Sequence, residues 1–307
     1  MKRFQLVVIA LLAISIQTEA QHYRLHGLEI YNPHLINPAF TGSDKLVQVD
    51  YFRHSNWMYS GNKASIMTTL PGRKSSVGIN VQNGTSYFSY GWGQPKEEGL
   101  KYYNVEGSYS HTFVISEDMK FHAGGRINYG KLNFLPAARS RDSTIRYNSN
   151  ITSSFGVGMD YKNWEIGLSA SIPLTNYLYS LAEDNTLERE KRSINVQDFY
   201  LFGRYESQSE RRVTLDPVFG LDCRLADGEA QWFGYAGGIV QIVDVVGLGI
   251  TAGSLLSVSA NVNILDRAQL MLGIYGGENN FQDGLVTADY KFNPGDKRYF
   301  VQLRINL

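Results

Sequence analysis

The side chains that could ligate a metal or move a proton are few. Imidazole is a common metal ligand and a base near neutral pH, so the six histidines come first. His22 and His26 stand four residues apart, with His34 further on. On a helix that spacing could start a metal site, but Pro33 and Pro38 interrupt the segment and no cysteine or carboxylate cluster accompanies it. A solvated or hydrogen-bonding role is expected there, with no metal and no other cofactor. His111 and His122 fall on neighbouring predicted strands, with Ser108 and Ser110 close in sequence. A hydroxyl activated by such a base would suit ester hydrolysis, yet no carboxylate stands where it would orient either ring. No catalytic residue is assigned, and a non-enzymatic protein is expected. "LAEDNTLEREKR", Leu181 to Arg192, mixes charges without the ligand spacing of a calcium loop and reads as a solvated loop. Cys223 is the only cysteine, so no internal disulfide can form.

The elements that would position these groups follow from the pattern along the chain. Lys2 and Arg3 precede the apolar run Phe4 to Ile16, and Thr18, Glu19 and Ala20 follow it, which reads as a signal peptide over 1–20 cleaved before Gln21. The run is too short to span a membrane as a helix, and every later apolar run is broken by Gly, Asn, Asp, Lys or Arg. The exported chain would carry 27 basic and 28 acidic residues, a balance that gives no reason to expect nucleic acid. Its 30 glycines and 20 tyrosines suit many strands, tight turns and amphipathic aromatic ends.

Period-two alternation recurs throughout. In "MKFHAGGRINYGK", Met119, Phe121, Ala123, Ile127 and Tyr129 share one face while Lys120, His122, Arg126 and Asn128 share the other. "NWEIGLSASI" and the C-terminal "YFVQLRINL" behave alike. The tally is about fifteen such segments, including 281–292, each near the length of a tilted membrane strand. Through residue 210 the connections alternate long and short, with 54–62, 83–99, 132–151 and 173–195 long. Short turns at one mouth and long loops at the other are the mark of an outer-membrane barrel, with the amino terminus in the periplasm. The expected fold is therefore all-β: a transmembrane antiparallel barrel of 14 strands, or 16, over residues 45–307, since both ends on one side require an even number. Residues 21–44 would form a separate segment at the periplasmic mouth or in the lumen. A secreted β-sandwich adhesin and a passive porin or hydrophobic-substrate transporter are the alternatives.

That segment carries "YNPHLINPAFTGS", Tyr31 to Ser43. Pro33 and Pro38 fix their own φ and push Asn32 and Asn37 out of the helical region, while the asparagine side chains can close local turns. The stretch resembles the amino-terminal signature of the PorP/SprF-type outer-membrane proteins of the type IX secretion and gliding machinery. Asn32, Pro33, Asn37, Pro38, Ala39, Phe40, Thr41 and Gly42 match it in order and spacing, and Arg53 and Trp57 of "YFRHSNW" match the element that follows, with Asn56 in place of Gln and one residue inserted. The C-terminal "PGDKRYF" departs from the family's Gly-Ser-His-Glu. The resemblance implies a barrel in outer-membrane lipid that works with type IX machinery components, or with a secreted cargo bearing a C-terminal sorting domain. The motif would then be a structural seal or a partner docking site.

Overall fold

The computed structural model describes residues 31–42, 47–55, 59–72, 74–88, 97–134, 145–181, 187–191, 197–207, 212–226, 229–243, 245–253, 256–264, 268–276 and 297–306. Two short 3-10 turns, η1 (Pro33–Leu35) and η2 (Pro38–Phe40), precede the strands. These are β1 (Val47–Ser55), β2 (Tyr59–Thr69), β3 (Ser75–Phe88), β4 (Glu97–Ser116), β5 (Met119–Phe134), β6 (Ile145–Tyr161), β7 (Trp164–Leu181), β8 (Leu187–Lys191), β9 (Gln197–Tyr205), β10 (Val213–Ala226), β11 (Glu229–Ile242), β12 (Val246–Gly253), β13 (Leu256–Ile264), β14 (Ala268–Gly276) and β15 (Lys297–Asn306).

Every pairing is antiparallel, and β1 lies between β2 and the last strand, β15. The sheet closes because β7 pairs with β6 on one side and, from Trp164 to Ser171, with β9 on the other. Fourteen strands form the barrel; β8 stands outside it, paired with the upper end of β7 from Tyr177 to Leu181. The ring of fourteen strands closes on itself, which rules out the two-sheet sandwich.

The expected strand number is therefore right. Residues 281–292 lie outside the described residues, and β8 arises within the stretch read as a plain solvated loop. The long connection expected over 54–62 is also shorter, because β1 runs to Ser55 and β2 begins at Tyr59. Ladder hydrogen bonds continue there through residues with no apolar alternation, so the pattern could not mark the boundary.

The polarity of the faces is inverted relative to a soluble barrel. Outward positions are apolar and bare: Ile66, Ile79, Val105, Ile127, Phe155, Leu168, Ile250 and Val301 are among the exposed large hydrophobics. Inward positions are polar and covered: Asp50, Asn80, Glu106, Arg126, Asp222, Asn261 and Gln302 are all buried. An apolar exterior around a polar interior is the arrangement demanded by lipid outside and hydrogen-bonding partners within. A smaller apolar cluster of Tyr200, Phe202, Val218, Tyr235, Ile239 and Met271 covers one side of the interior.

Candidate functional site

The interior of the barrel holds the segment Tyr31 to Gly42. Its local shape follows from its prolines. Pro33 and Pro38 each open a 3-10 turn, where a fixed φ is suited and no amide proton is needed. The Asn37 side chain accepts the Ala39 amide at 2.9 Å, while the Ile36 and Thr41 amides close the turns onto the carbonyls of Pro33 and Pro38. Gly42, with φ of +89°, then turns the chain past Ser76 in a conformation that an L side chain rarely adopts.

One end of the segment is fastened at the seam between first and last strands. Asn32, fully buried, donates to Gln302 Oε1 at 2.8 Å and accepts from the Arg304 guanidinium. Asp50 on β1 organises this group, accepting from Arg304 Nε at 2.8 Å, Gln302 Nε2 at 3.2 Å and Gln48 Nε2 at 2.7 Å. His34 Nε2 lies 3.8 Å from Asp50 Oδ2. Burial, reinforced by the nearby Arg304, Lys63 and Arg126 charges and opposed by Asp50, pushes the His34 pKa down to about 3, so its imidazole is neutral at physiological pH. Tyr31 bonds Ser259 on β13 at 3.0 Å and, with Ile36, packs on the apolar cluster.

The other end sits in a bay on β4 to β7. Arg126 of β5 donates to the Leu35 carbonyl at 2.8 Å and to that of His34, and is held by Glu106 of β4 at 3.1 Å. Asn37, also fully buried, donates to the carbonyls of Val157 and Leu168 at 2.9 and 3.3 Å, where β6 meets β7. Ser169 and Ser110 bond the carbonyls of Ile36 and Thr41 at 3.1 and 2.5 Å. The bay exists because its wall lacks side chains. A Cβ at Gly158 would lie 2.6 Å from the Phe40 ring, one at Gly167 2.5 Å from the Asn37 amide, and one at Gly124 2.7 Å from the Ala39 nitrogen.

Eight residues of the sequence motif, Asn32 to Gly42, thus come together, but Arg53 does not join them. It is exposed on β1 beside outward-facing Tyr51, and Trp57 lies outside the described residues, as do His22 and His26. Sequence reasoning missed the receiving wall: Asp50, Arg126, Gln302, Arg304 and the glycines. The signal was present in polar residues at alternate positions of "YFVQLRINL" and glycines at alternate positions of "SSFGVGMDY".

The histidines also resolve differently from the expectation. Ser108 and Ser110 bond backbone carbonyls rather than a histidine, and His111 meets Ser75 Oγ at 2.7 Å. The orienting carboxylate for His122 is Asp160, 2.9 Å from Nε2, with Thr112 Oγ1 3.0 Å from Nδ1. Phe40 packs against this ring at 5.7 Å between centroids. The trio thus ties β4, β5 and β6 together beside η2. Among the described residues, no group of three or more His, Cys, Asp and Glu could hold a metal ion.

The family model described as "Type IX secretion system membrane protein PorP/SprF" matches residues 20–224. Among solved structures, the chain is similar to the CymD monoaromatic hydrocarbon channel, at 7% identity and a TM-score of 0.52 over 97% of each chain. It is also similar to the toluene transporter TodX of P. putida, at 11% identity and a TM-score of 0.47 over 94% of this chain and 96% of that one. At such identities the likeness concerns fold alone. No curated protein matches.

Proposed function

Because the chain belongs to the PorP/SprF family of type IX secretion membrane proteins, we propose that it supports secretion or surface attachment of a cargo protein with a C-terminal sorting domain. It is an outer-membrane barrel, and in this reading it works without catalysis. The observation that favours this role over passive transport is the occupied interior. A segment fastened by Asn32, Arg126, Asn37, Ser110 and Ser169 across the lumen leaves little reason for a barrel designed to pass solutes.

In the same reading residues 1–20 are a cleaved signal and the amino-terminal segment lies on the periplasmic side. The short-turn mouth faces the secretion machinery, and the long loops face cargo. The motif residues Asn32 to Gly42 act first as a seal that orients β1. Deleting the gene should abolish surface display of at least one sorting-domain protein. Unchanged display of every such protein would overturn the proposal. Purification from native membranes distinguishes the roles within it: a large adhesin or a periplasmic ring component should accompany the barrel. A porin would instead show steady conductance in planar bilayers with the segment in place.

A further inference from the structure

We propose that the outward face at the long-loop end of β4 to β8 binds the phosphate group of an outer-leaflet lipid. The inference takes from the proposed function only the orientation that puts the long loops at the cell surface. Among the described side chains, the charges that face outward on the barrel strands are Arg53, Lys101 and Lys131, which alternate in step with exposed Tyr51, Tyr103 and Tyr129. All are cations. Inward charges are mixed in sign, with Asp50, Glu106 and Glu165 beside Lys63, Arg126 and Arg204. The uniform sign outside is therefore a property of that face and not of the strands as a whole.

Strand β8 adds two more cations. Its register sets Lys191 opposite Tyr177 and Arg189 opposite Tyr179, and the Arg189 guanidinium lies 4.7 Å from the centre of the Tyr177 ring. Pairing carries this face across the sheet. Lys191, Tyr177, Ser149, Lys131 and Tyr103 form one cross-strand row, and Arg189, Tyr179, Tyr147, Asn133 and Lys101 form the next. With strands about 4.8 Å apart, the two rows place four cations within about 19 Å. Glu188 and Glu190 alternate to the opposite face of β8.

The rows cap the apolar exterior. On β5, exposed Phe121, Ile127 and Tyr129 lead up to Lys131, and on β7 Leu168, Ile172 and Leu174 lead up to Tyr177 and Tyr179. The short turns at Glu117-Asp118 and Lys162-Asn163 close the far ends of these strands. A ligand lying here meets an acyl-compatible wall below and cations with tyrosines above, which is the division within a phosphorylated lipid. Free phosphate would make no use of the apolar wall. Arginine and lysine both suit a phosphate oxygen, the first through its planar fork and the second as a point charge.

The test uses the purified full-length barrel in detergent, with dioleoylphosphatidic acid as the probe and dioleoylphosphatidylcholine as the reference. Native mass spectrometry should find the phosphatidic acid retained in preference. Arg189→Gln with Lys191→Gln should weaken retention by roughly 25-fold, about fivefold for each cation. Because β8 stands outside the barrel, that variant should keep its heat-modifiable mobility. Glu188→Gln with Glu190→Gln should not weaken retention. Equal retention of both lipids, or unchanged retention by the variant lacking Arg189 and Lys191, overturns the proposal. Displacement of the lipid by inorganic phosphate overturns it as well, because the site would then be one for the free ion. Orientation is read separately, with a membrane-impermeant thiol reagent on intact cells that should label Arg189→Cys in a Cys223→Ser background. No labelling there, with lipid retention intact, overturns the orientation and the choice of leaflet while the phosphate site stands.

Discussion

Replacing Gly124 with alanine should unseat the segment while leaving the barrel intact. The new Cβ would lie 2.7 Å from the Ala39 nitrogen and against the Pro38 carbonyl, closer than real Cβ atoms come to backbone. Backbone cannot rotate away as a side chain can, so η2 must rise from the wall. Overpacking of this kind costs about 1 to 3 kcal/mol. If η2 lifts fully, the bonds from Asn37, Ser169 and Ser110 go too, at about 1 kcal/mol each. Seating then weakens by about 5 to 7 kcal/mol when η2 lifts fully, a factor of several thousand or more. Gly125 is the control: it is adjacent on β5 but faces outward, and its Cβ would meet only Ser154 O at 3.9 Å and the Phe155 ring at 4.0 Å. Planar-bilayer conductance and protease cleavage within residues 31–42 would report the difference. Gly124→Ala should open the lumen and expose the segment, and Gly125→Ala should do neither. If both variants match the wild type in both assays, the glycine bay does not hold the segment.

Acidification should loosen the same segment. His34 is held near a pKa of 3 when seated, against 6.5 when released, so stability is full above pH 6.5 and declines as pH falls towards about 3. The slope approaches about 1.4 kcal/mol per pH unit, or roughly 2 kcal/mol by pH 5, and His34→Gln should flatten the corresponding conductance profile. Asn32→Ala, which leaves Arg304 and Gln302 to Asp50 alone, should weaken seating by about 1 to 3 kcal/mol in thermal unfolding of the refolded barrel. Leu35→Ser with Phe40→Ser separates two roles for the motif. Loss of heat-modifiable barrel supports a seal, whereas a normal barrel with lost secretion supports docking.

Much of this fold could be read from residues that face two ways. Tyr299, Val301 and Leu303 face outward while Phe300, Gln302 and Arg304 face inward, as the alternation of "YFVQLRINL" requires. A single period-two pattern cannot say what stands opposite an inward residue, and so the partners of Asn32 and Asn37 were invisible. Asn32 meets Gln302 across 270 positions, and Asn37 meets Leu168 across 131. The turns made by Pro33 and Pro38 depend on neighbours and were legible. β8 was not, because its pairing with Tyr177 to Leu181 extends β7 beyond the apolar band, where composition no longer follows the pleat.

The contact between Asn32 and the last strand bears on the order of assembly. The segment is made long before its partners, because Gln302 and Arg304 follow Asn32 by 270 and 272 positions. Until β15 lies beside β1, Asp50 has neither Arg304 nor Gln302 to hold. The segment must therefore wait for β15, and its docking reports that the cylinder has closed. A chain that lost its final strand would keep the whole motif intact and have no place to put it.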